Sequence, residues 1–267
     1  MKGYISVFRL RVLSGLQYRT AAGAGILTNF FWGAISIMVL EAFYASSGLA
    51  QPISLEETAA YIWLRQSLLM LVVLWLRDGE IAQSIVTGQV SYELTRPYTL
   101  YSYWFAKSLA YRLAAGALRF WPILLAARLL PAPYRLQLPP DTMTAVLFLW
   151  SMTLSMLITV ALTMIMYATI FTTMTPAGSV ALFAGISDFL AGGIVPLPLM
   201  PAWVQALAYR LPFYTTQDVP FRIYSGHLPY PLALESIMAQ VMWLGATLVL
   251  GQFLLTRALG RISVQGG

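Results

Sequence analysis

The sequence predicts an all-α polytopic membrane protein with six transmembrane helices. Hydrophobic residues make up 59% of the 267 residues and charged residues only 10%, whereas soluble domains are about 45–50% apolar and about 25% charged. The mean hydropathy is +0.71. Two runs of 21 residues, Thr20–Leu40 and Ser236–Thr256, carry no charge, and about 20 apolar residues are enough for one membrane-spanning helix.

Charge and composition argue against several other classes of protein. The net charge is +6, but the basic residues flank apolar runs instead of clustering on a polar domain, so no nucleic-acid partner is predicted. The chain has no cysteine, which excludes disulfides and thiolate metal sites. Its single histidine, His227, lies in a Pro-rich loop without nearby acids, and no metal site is predicted.

The basic N-terminal segment, residues 1–19, predicts an amphipathic helix that lies in the headgroup layer. Its apolar side chains recur on one helical face, at Ile5, Phe8, Val12 and Leu16. A signal peptide is the alternative. The apolar run that follows is too long for one, and no small-residue cleavage site stands out.

Thr20–Leu40 is the first predicted span, and the second runs from Thr58 to Leu76 and includes Arg65. The third, at about 101–127, has an aromatic entry that is typical of the membrane interface. It contains three basic residues: Lys107, Arg112 and Arg119.

A charge-free run from 142 to 187 is too long for one span. Thr175–Gly178, which includes a proline, is predicted to divide it into spans four and five. Ser236–Thr256 is the sixth span.

Two further segments separate these spans. Residues 77–99 form a polar stretch that predicts a short helix outside the bilayer, and a plain hydrophilic connector is an equal alternative. Residues 196–234 contain seven of the 15 prolines. They predict short re-entrant helices that dip into the membrane surface, since broken backbone enters a membrane only where protein covers it. The aromatic and proline residues expected there are Pro212, Phe213, Pro220 and Phe221.

The distribution of lysine and arginine sets the predicted orientation. With six spans both termini lie on one side, and that side also holds 77–99 and most of the basic residues near span ends. By the positive-inside rule this side is cytoplasmic and 196–234 lies outside.

In this layout the sequence resembles the ABC-2 type permeases, the membrane subunits of type V ATP-binding-cassette exporters, and among them a six-span subfamily of roughly 260 residues. The resemblance covers essentially the whole chain as one transmembrane domain. The matching residues are Gly79-Glu80-Ile81, Thr87-Gly88, Leu94-Thr95-Arg96-Pro97, Leu211-Pro-Phe, Val219-Pro-Phe with Gly226, Gln240-x-x-Trp243, and Gly266-Gly267.

The resemblance implies a bacterial cytoplasmic membrane protein that works with two copies of a separate ATPase and with a second permease, identical or homologous. The 77–99 helix would be the coupling helix that sits in a groove of the ATPase. The residues expected to couple are Asp78, Glu80, Ile81, Gly88, Glu93, Arg96 and Pro97. No cofactor is expected in this chain, and ATP and Mg would bind the partner ATPase.

Three charged residues in the predicted spans are candidates for a translocation path: Arg65, Arg119 and Asp188. A charge at that depth costs several kcal/mol, about 2.5–3.5 on insertion scales, unless it faces a partner or water. The alternative is that these charges pair with one another or cap a break in a helix.

The chain is not expected to hydrolyse ATP, because no G-x-x-x-x-G-K-[ST] phosphate loop is present: alanine, not glycine, precedes Lys107. We therefore interpret it as the permease subunit of an ATP-driven exporter that moves a hydrophobic or amphipathic substrate such as a lipid, drug or peptide. The alternatives are an ion-coupled secondary carrier and a non-transporting scaffold subunit.

Overall fold

The computed structural model describes residues 2–17, 19–47 and 51–260. The protein is 77% helical, and no strand occurs in the described residues. The helices are α1 Lys2–Gly15, α2 Arg19–Ser47, α3 Leu55–Val72, α4 Gly79–Val86, α5 Val90–Leu94, α6 Leu100–Ala117, α7 Phe120–Arg128, α8 Thr142–Thr173, α9 Pro176–Leu190, a 3₁₀ helix Leu197–Leu199, α10 Ala202–Ala208, α11 Tyr214–Tyr224 and α12 Tyr230–Leu259.

Helix α8 is the centre of the fold. Asp141 caps its N-terminus by accepting the Thr144 N–H at 2.9 Å, and Met174 ends it in the left-handed region at φ 49°. It packs against α3, α4, α6, α9, α11 and α12. Its most apolar stretch is 56% buried, against 17% for that of α2, so α8 faces protein where α2 faces its surroundings.

Four helical segments of the described chain are long and apolar enough to cross a bilayer: Ala22–Ser46, Leu100–Arg128, Thr142–Thr173 and Tyr230–Leu259. Helix α9 is apolar but has only 15 residues. Helix α3 has 18 residues and carries Glu56, Glu57 and Arg65. The predicted first, third, fourth and sixth spans are thus matched by suitable helices, and crossing by α3 and α9 stays a prediction.

The helix within the second predicted span ends before the predicted boundary at Leu76. Helix α3 begins with a capping box between Ser54 and Glu57 and ends at Val72, four residues before Leu76. The chain then leaves the helix because the buried guanidinium of Arg112 binds two of its carbonyls, those of Val73 at 2.6 Å and Leu76 at 2.9 Å.

The third predicted span is broken in the middle, between α6 and α7. Pro122 lies in the first turn of α7 and has no N–H to offer the carbonyl of Leu118. Arg119 therefore occupies the N-cap position of α7 at the break, and not the interior of one continuous helix.

Helix α1 packs lengthwise against α6. The predicted face is half-buried at Phe8, Val12 and Leu16. Ile5, however, is 64% exposed. The apolar Leu10 and Leu13, which lie on another face, are 66% and 55% exposed. One side of α1 thus covers α6, and the position of the helix in the headgroup layer stays a prediction.

Residues 196–234 form short helices, namely the 3₁₀ turn, α10 and α11, before α12 begins. Helix α11 contains Pro220 and packs against α3, α8 and α12. Phe221 is fully buried and makes an edge-to-face contact with Tyr61 at 5.2 Å between ring centroids. Pro212 is buried and Phe213 half-buried ahead of α11. Whether this segment enters the membrane stays a prediction.

Candidate functional site

The polar segment between α3 and α6 folds into two short helices, α4 and α5. Asp78 is the N-cap of α4 and accepts the Glu80 N–H at 2.9 Å. Gly88 follows the C-cap Thr87 with φ 75°, a left-handed conformation that glycine adopts without strain and that ends α4. Helix α5 then runs from Val90 to Leu94, and Arg96 and Pro97 follow it, exposed.

One face of α4 is anchored in the protein. Ile81 is fully buried and Ile85 nearly so, in an apolar cluster that also contains Tyr167 and Trp104. The Tyr167 hydroxyl accepts the backbone N–H of Asp78 at 3.0 Å. Because these contacts fix the start and one face of α4, the helix moves with α6 and α8.

Ion pairs hold the first turn of α4 to α1 and α6. The Glu80 carboxylate accepts hydrogen bonds from Arg11 of α1 and, at 3.0 Å, from Lys107 of α6. Lys107 also lies 3.5 Å from Asp78, and Arg11 lies 3.9 Å from it. Two acids and two bases from three elements thus balance one another.

This arrangement changes the acidity of Glu80. Its hydrogen bonds from Arg11, followed by those from Lys107, lower the pKa of the carboxyl from 4.5 to about 2. A depressed carboxyl pKa means that the ion pairs contribute stability above pH 4.5, which is lost as the pH falls through about 2. The side chain is 65% exposed, so each pair contributes under about 1 kcal/mol.

The other face of α4 and α5 is uncovered. Tyr92 is 73% and Leu94 48% exposed, and Gln83, Gln89 and Arg96 are exposed as well. A groove of about 650 Å³ runs between the two helices, with Gln83, Tyr92 and Lys107 in its wall. Glu93 accepts the Trp104 indole N–H at 2.6 Å and so orients α5.

The structure brings two of the three predicted intramembrane charges together. Arg65 of α3 lies 3.8 Å from Asp188 of α9. Arg119 is elsewhere, and its guanidinium reaches the sulfur of Met70 at 3.3 Å. Arg65 and Asp188 therefore fit the alternative in which the charges pair with one another. Arg119 fits the alternative in which a charge caps a break in a helix.

His227 is not isolated from acids, contrary to the expectation from sequence. Its Nδ1 lies 3.4 Å from Glu57 of α3, which is distant in the chain. Burial and the neighbouring Arg222 lower the pKa of the imidazole. Within the described ranges, no group of three or more metal-ligating side chains is found.

Sequence reasoning missed Arg11, Lys107 and Arg112 as positioning residues of this segment. The sequence identifies Lys107 and Arg112 only as basic residues of the third span, and Arg11 only as part of the basic segment 1–19. Basic residues inside an otherwise apolar helix, as in α6, were the available signal, because such residues need partners. Their partners, the carboxylates and carbonyls at residues 73–80, could not be assigned without the tertiary contacts.

The fold is that of a polytopic helical membrane protein. Several of its helices are long and apolar enough to cross a bilayer, and helices pack around α8. An amphipathic polar segment lies between α3 and α6. Residues 25–266 match the sequence model of the family described as ABC-2 family transporter protein. The match covers most of the chain, and the protein belongs to this family. The family is a permease component and not itself catalytic. Comparison with curated proteins gives no match.

Proposed function

We propose that this protein is the transmembrane permease subunit of an ATP-driven exporter, with the exposed face of α4 and α5 as the docking surface for a separate ATPase. Two ATPase copies and a second permease, identical or homologous, would complete the transporter in a bacterial cytoplasmic membrane. ATP and Mg would bind the ATPase, and the cargo would be hydrophobic or amphipathic.

The observation that carries this proposal is the construction of α4. The helix is buried on its Ile81 side and bonded to α1 and α6 through Glu80, yet its opposite face is uncovered. A plain connector needs no such anchoring. An element that must transmit force needs both a rigid attachment and a free surface, and α4 with α5 has both.

The first prediction is that the chain alone hydrolyses no ATP and that it retains a co-expressed ABC ATPase. The test measures ATP turnover by the purified chain in lipid, then ATPase retention by wild type and by Tyr92→Ala. Tyr92 is 73% exposed, so its truncation should weaken retention while leaving the free energy of unfolding within about 0.5 kcal/mol of wild type.

Trp203→Ala serves as the matched control, because this aromatic side chain is 70% exposed and lies outside the segment, on α10. ATP turnover by the chain alone would contradict the proposal. So would ATPase retention that is unaffected by every substitution on the exposed face, since α4 and α5 would then be only a connector.

The Arg65–Asp188 pair keeps an ion-coupled carrier as the second candidate function, because a half-buried acid beside a base in the predicted spans is able to bind a cation. Uptake into vesicles under an ion gradient, without ATPase or ATP, separates the two functions. A non-transporting scaffold would give transport in neither experiment.

A further inference from the structure

A cleft of about 420 Å³ lies between α2, α3 and the α6–α7 break. Two guanidinium groups, those of Arg65 and Arg119, lie in its wall. Apolar side chains such as Leu69 share the wall, and so does Trp32, which is 59% exposed. The cleft thus has a cationic interior and opens toward the apolar outer face of α2.

The positive charge of the cleft is only partly balanced by the described protein residues. Among the residues that the structure describes, no carboxylate forms an ion pair with Arg119, whose polar contact is the sulfur of Met70. Arg65 has Asp188 at 3.8 Å, and its Nε is buried without a hydrogen-bond partner. A guanidinium in such a place favours an anion, because charge–charge attraction is strong where water is scarce.

The cleft adjoins two other cavities, because each shares a wall residue with it. It shares Arg119 with a cavity of about 610 Å³ beside α1 and α4. The acids there, Asp78 and Glu80, are already paired with Arg11 and Lys107. At the other end the cleft shares Arg65 with a small pocket. The cavities therefore follow α2 along the candidate span Ala22–Ser46.

Gly25 of α2 keeps this cleft open. A β-carbon at that position would lie 2.8 Å from the Arg119 Cζ, whereas one at Gly23 would meet nothing within 4 Å. Because Gly25 has no side chain, the Arg119 guanidinium can lie against the backbone of α2. From there it could bind an anion in the cleft.

We infer that the cleft binds the anionic headgroup of an amphiphile, with Arg119 as the principal ligand and Arg65 as the second. The tail would lie along exposed apolar residues on the cleft side of α2, such as Trp32 and Val39. This inference rests on the proposed permease function for its role in transport, and it names the class of cargo. A bilayer phospholipid and a separate anionic amphiphile present the same chemistry.

The test uses the absence of native cysteine. Thr28, which lies in the cleft wall and is exposed, is replaced by cysteine. The rate of modification by a neutral thiol reagent is measured in phosphatidylcholine nanodiscs. Dodecyl phosphate, below its micellar concentration, should slow modification. Dodecylphosphocholine and inorganic phosphate should not, because the first lacks net charge and the second lacks a tail.

Arg119→Gln in the Thr28→Cys chain should weaken protection by dodecyl phosphate about tenfold, as expected for the loss of one charge-assisted hydrogen bond. Arg119→Lys should retain part of it. Arg257→Gln is the matched control, since this exposed arginine lies at the end of α12. Ser46→Cys, exposed at the far end of α2, should show no protection.

Equal protection by dodecylphosphocholine or by inorganic phosphate would overturn the inference, and so would protection that survives in Arg119→Gln. Protection by phosphatidylglycerol added to the nanodisc would support it with a bilayer lipid as the source. The assay needs no ATPase. If dodecyl phosphate gives no protection but the ATPase is retained normally, only the inferred class of cargo is contradicted. If dodecyl phosphate protects but the ATPase is not retained, only the role in ATP-driven transport is contradicted.

Discussion

At the scale of single residues, Arg112 holds the junction between α3 and α4. Its side chain is 1% exposed. Besides the carbonyls of Val73 and Leu76, it donates to the Thr163 hydroxyl of α8 at 2.9 Å. A buried carbonyl without a donor costs about 1–3 kcal/mol, so this one side chain satisfies groups that nothing else in the described structure reaches.

We predict that Arg112→Leu lowers the free energy of unfolding by about 2–5 kcal/mol, because it leaves the carbonyls of Val73 and Leu76 without a donor, while the Thr163 hydroxyl keeps its bond to the Thr159 carbonyl. The free energy of unfolding of Arg112→Lys should lie between those of wild type and Arg112→Leu, because lysine can restore one of the hydrogen bonds. The measurement is the thermal unfolding midpoint in a mild detergent.

Arg119→Gln is the control for this comparison, and it should cost under about 1 kcal/mol, since the half-buried Arg119 donates only to sulfur. Equal losses for the two arginines would show that both act merely as bulk within α6 and α7, and the assignment of Arg112 as a positioning residue would fail.

At the scale of elements, the position of α1 depends on its close approach to α6. A β-carbon at Gly15 would lie 2.5 Å from the Cβ of Ala114. One turn earlier, Arg11 reaches Glu80 of α4. The contact between α1 and α6 therefore sets where the first turn of α4 is held.

We predict that Gly15→Ala destabilises the protein by about 1–3 kcal/mol by overpacking this contact, and that it weakens retention of the ATPase because Arg11 moves away from Glu80. The double variant Gly15→Ala with Ala114→Gly should recover both properties, since the second change returns the lost space. Thermal unfolding and co-purification measure the two effects.

Gly23→Ala provides the comparison within the neighbouring helix. Its new β-carbon meets nothing within 4 Å, so it should be neutral or stabilising by up to about 1 kcal/mol. If Gly15→Ala behaves like Gly23→Ala, the close packing of α1 on α6 has no energetic role.

At the scale of the whole molecule, six crossings require α3 and α9 to traverse the bilayer although they have only 18 and 15 residues. At 1.5 Å per residue they span about 27 and 22 Å, less than the roughly 30 Å of the hydrocarbon core. The non-helical residues 73–76 and 191–196 extend their reach, and the α8 side of the fold covers part of this backbone.

We predict that the α6–α7 segment crosses the membrane, so that its two ends lie on opposite sides. Helices α4 and α5 then lie on the cytoplasmic side. A membrane-impermeant thiol reagent applied to intact cells should label Leu138→Cys and not Gln89→Cys, although both positions are exposed in the fold. Permeabilised cells should label both. Labelling of Gln89→Cys in intact cells would reverse the orientation, and labelling of neither or both would contradict the crossing.

The sequence by itself determined the class, the family and the order of the elements. Apolar runs such as Thr20–Leu40 and Ser236–Thr256 avoid water only when they lie in lipid or in a large protein core. The break at Thr175–Gly178 follows from local turn chemistry, and the structure places it between α8 and α9. The polar helix at 77–99 was also predicted, because glycine, proline and charge interrupt hydropathy over a few neighbouring residues.

Only the tertiary structure decided which charges meet. Glu80 with Arg11, His227 with Glu57, and Arg112 with Val73 are separated by tens to hundreds of residues in the chain. It likewise decided that Arg65 pairs with Asp188, while the Arg119 guanidinium contacts the Met70 sulfur at a helix break. Hydropathy and periodicity act over one turn or one span, whereas a buried charge is stabilised by whichever partner packing brings within a few ångströms, and that depends on the whole fold.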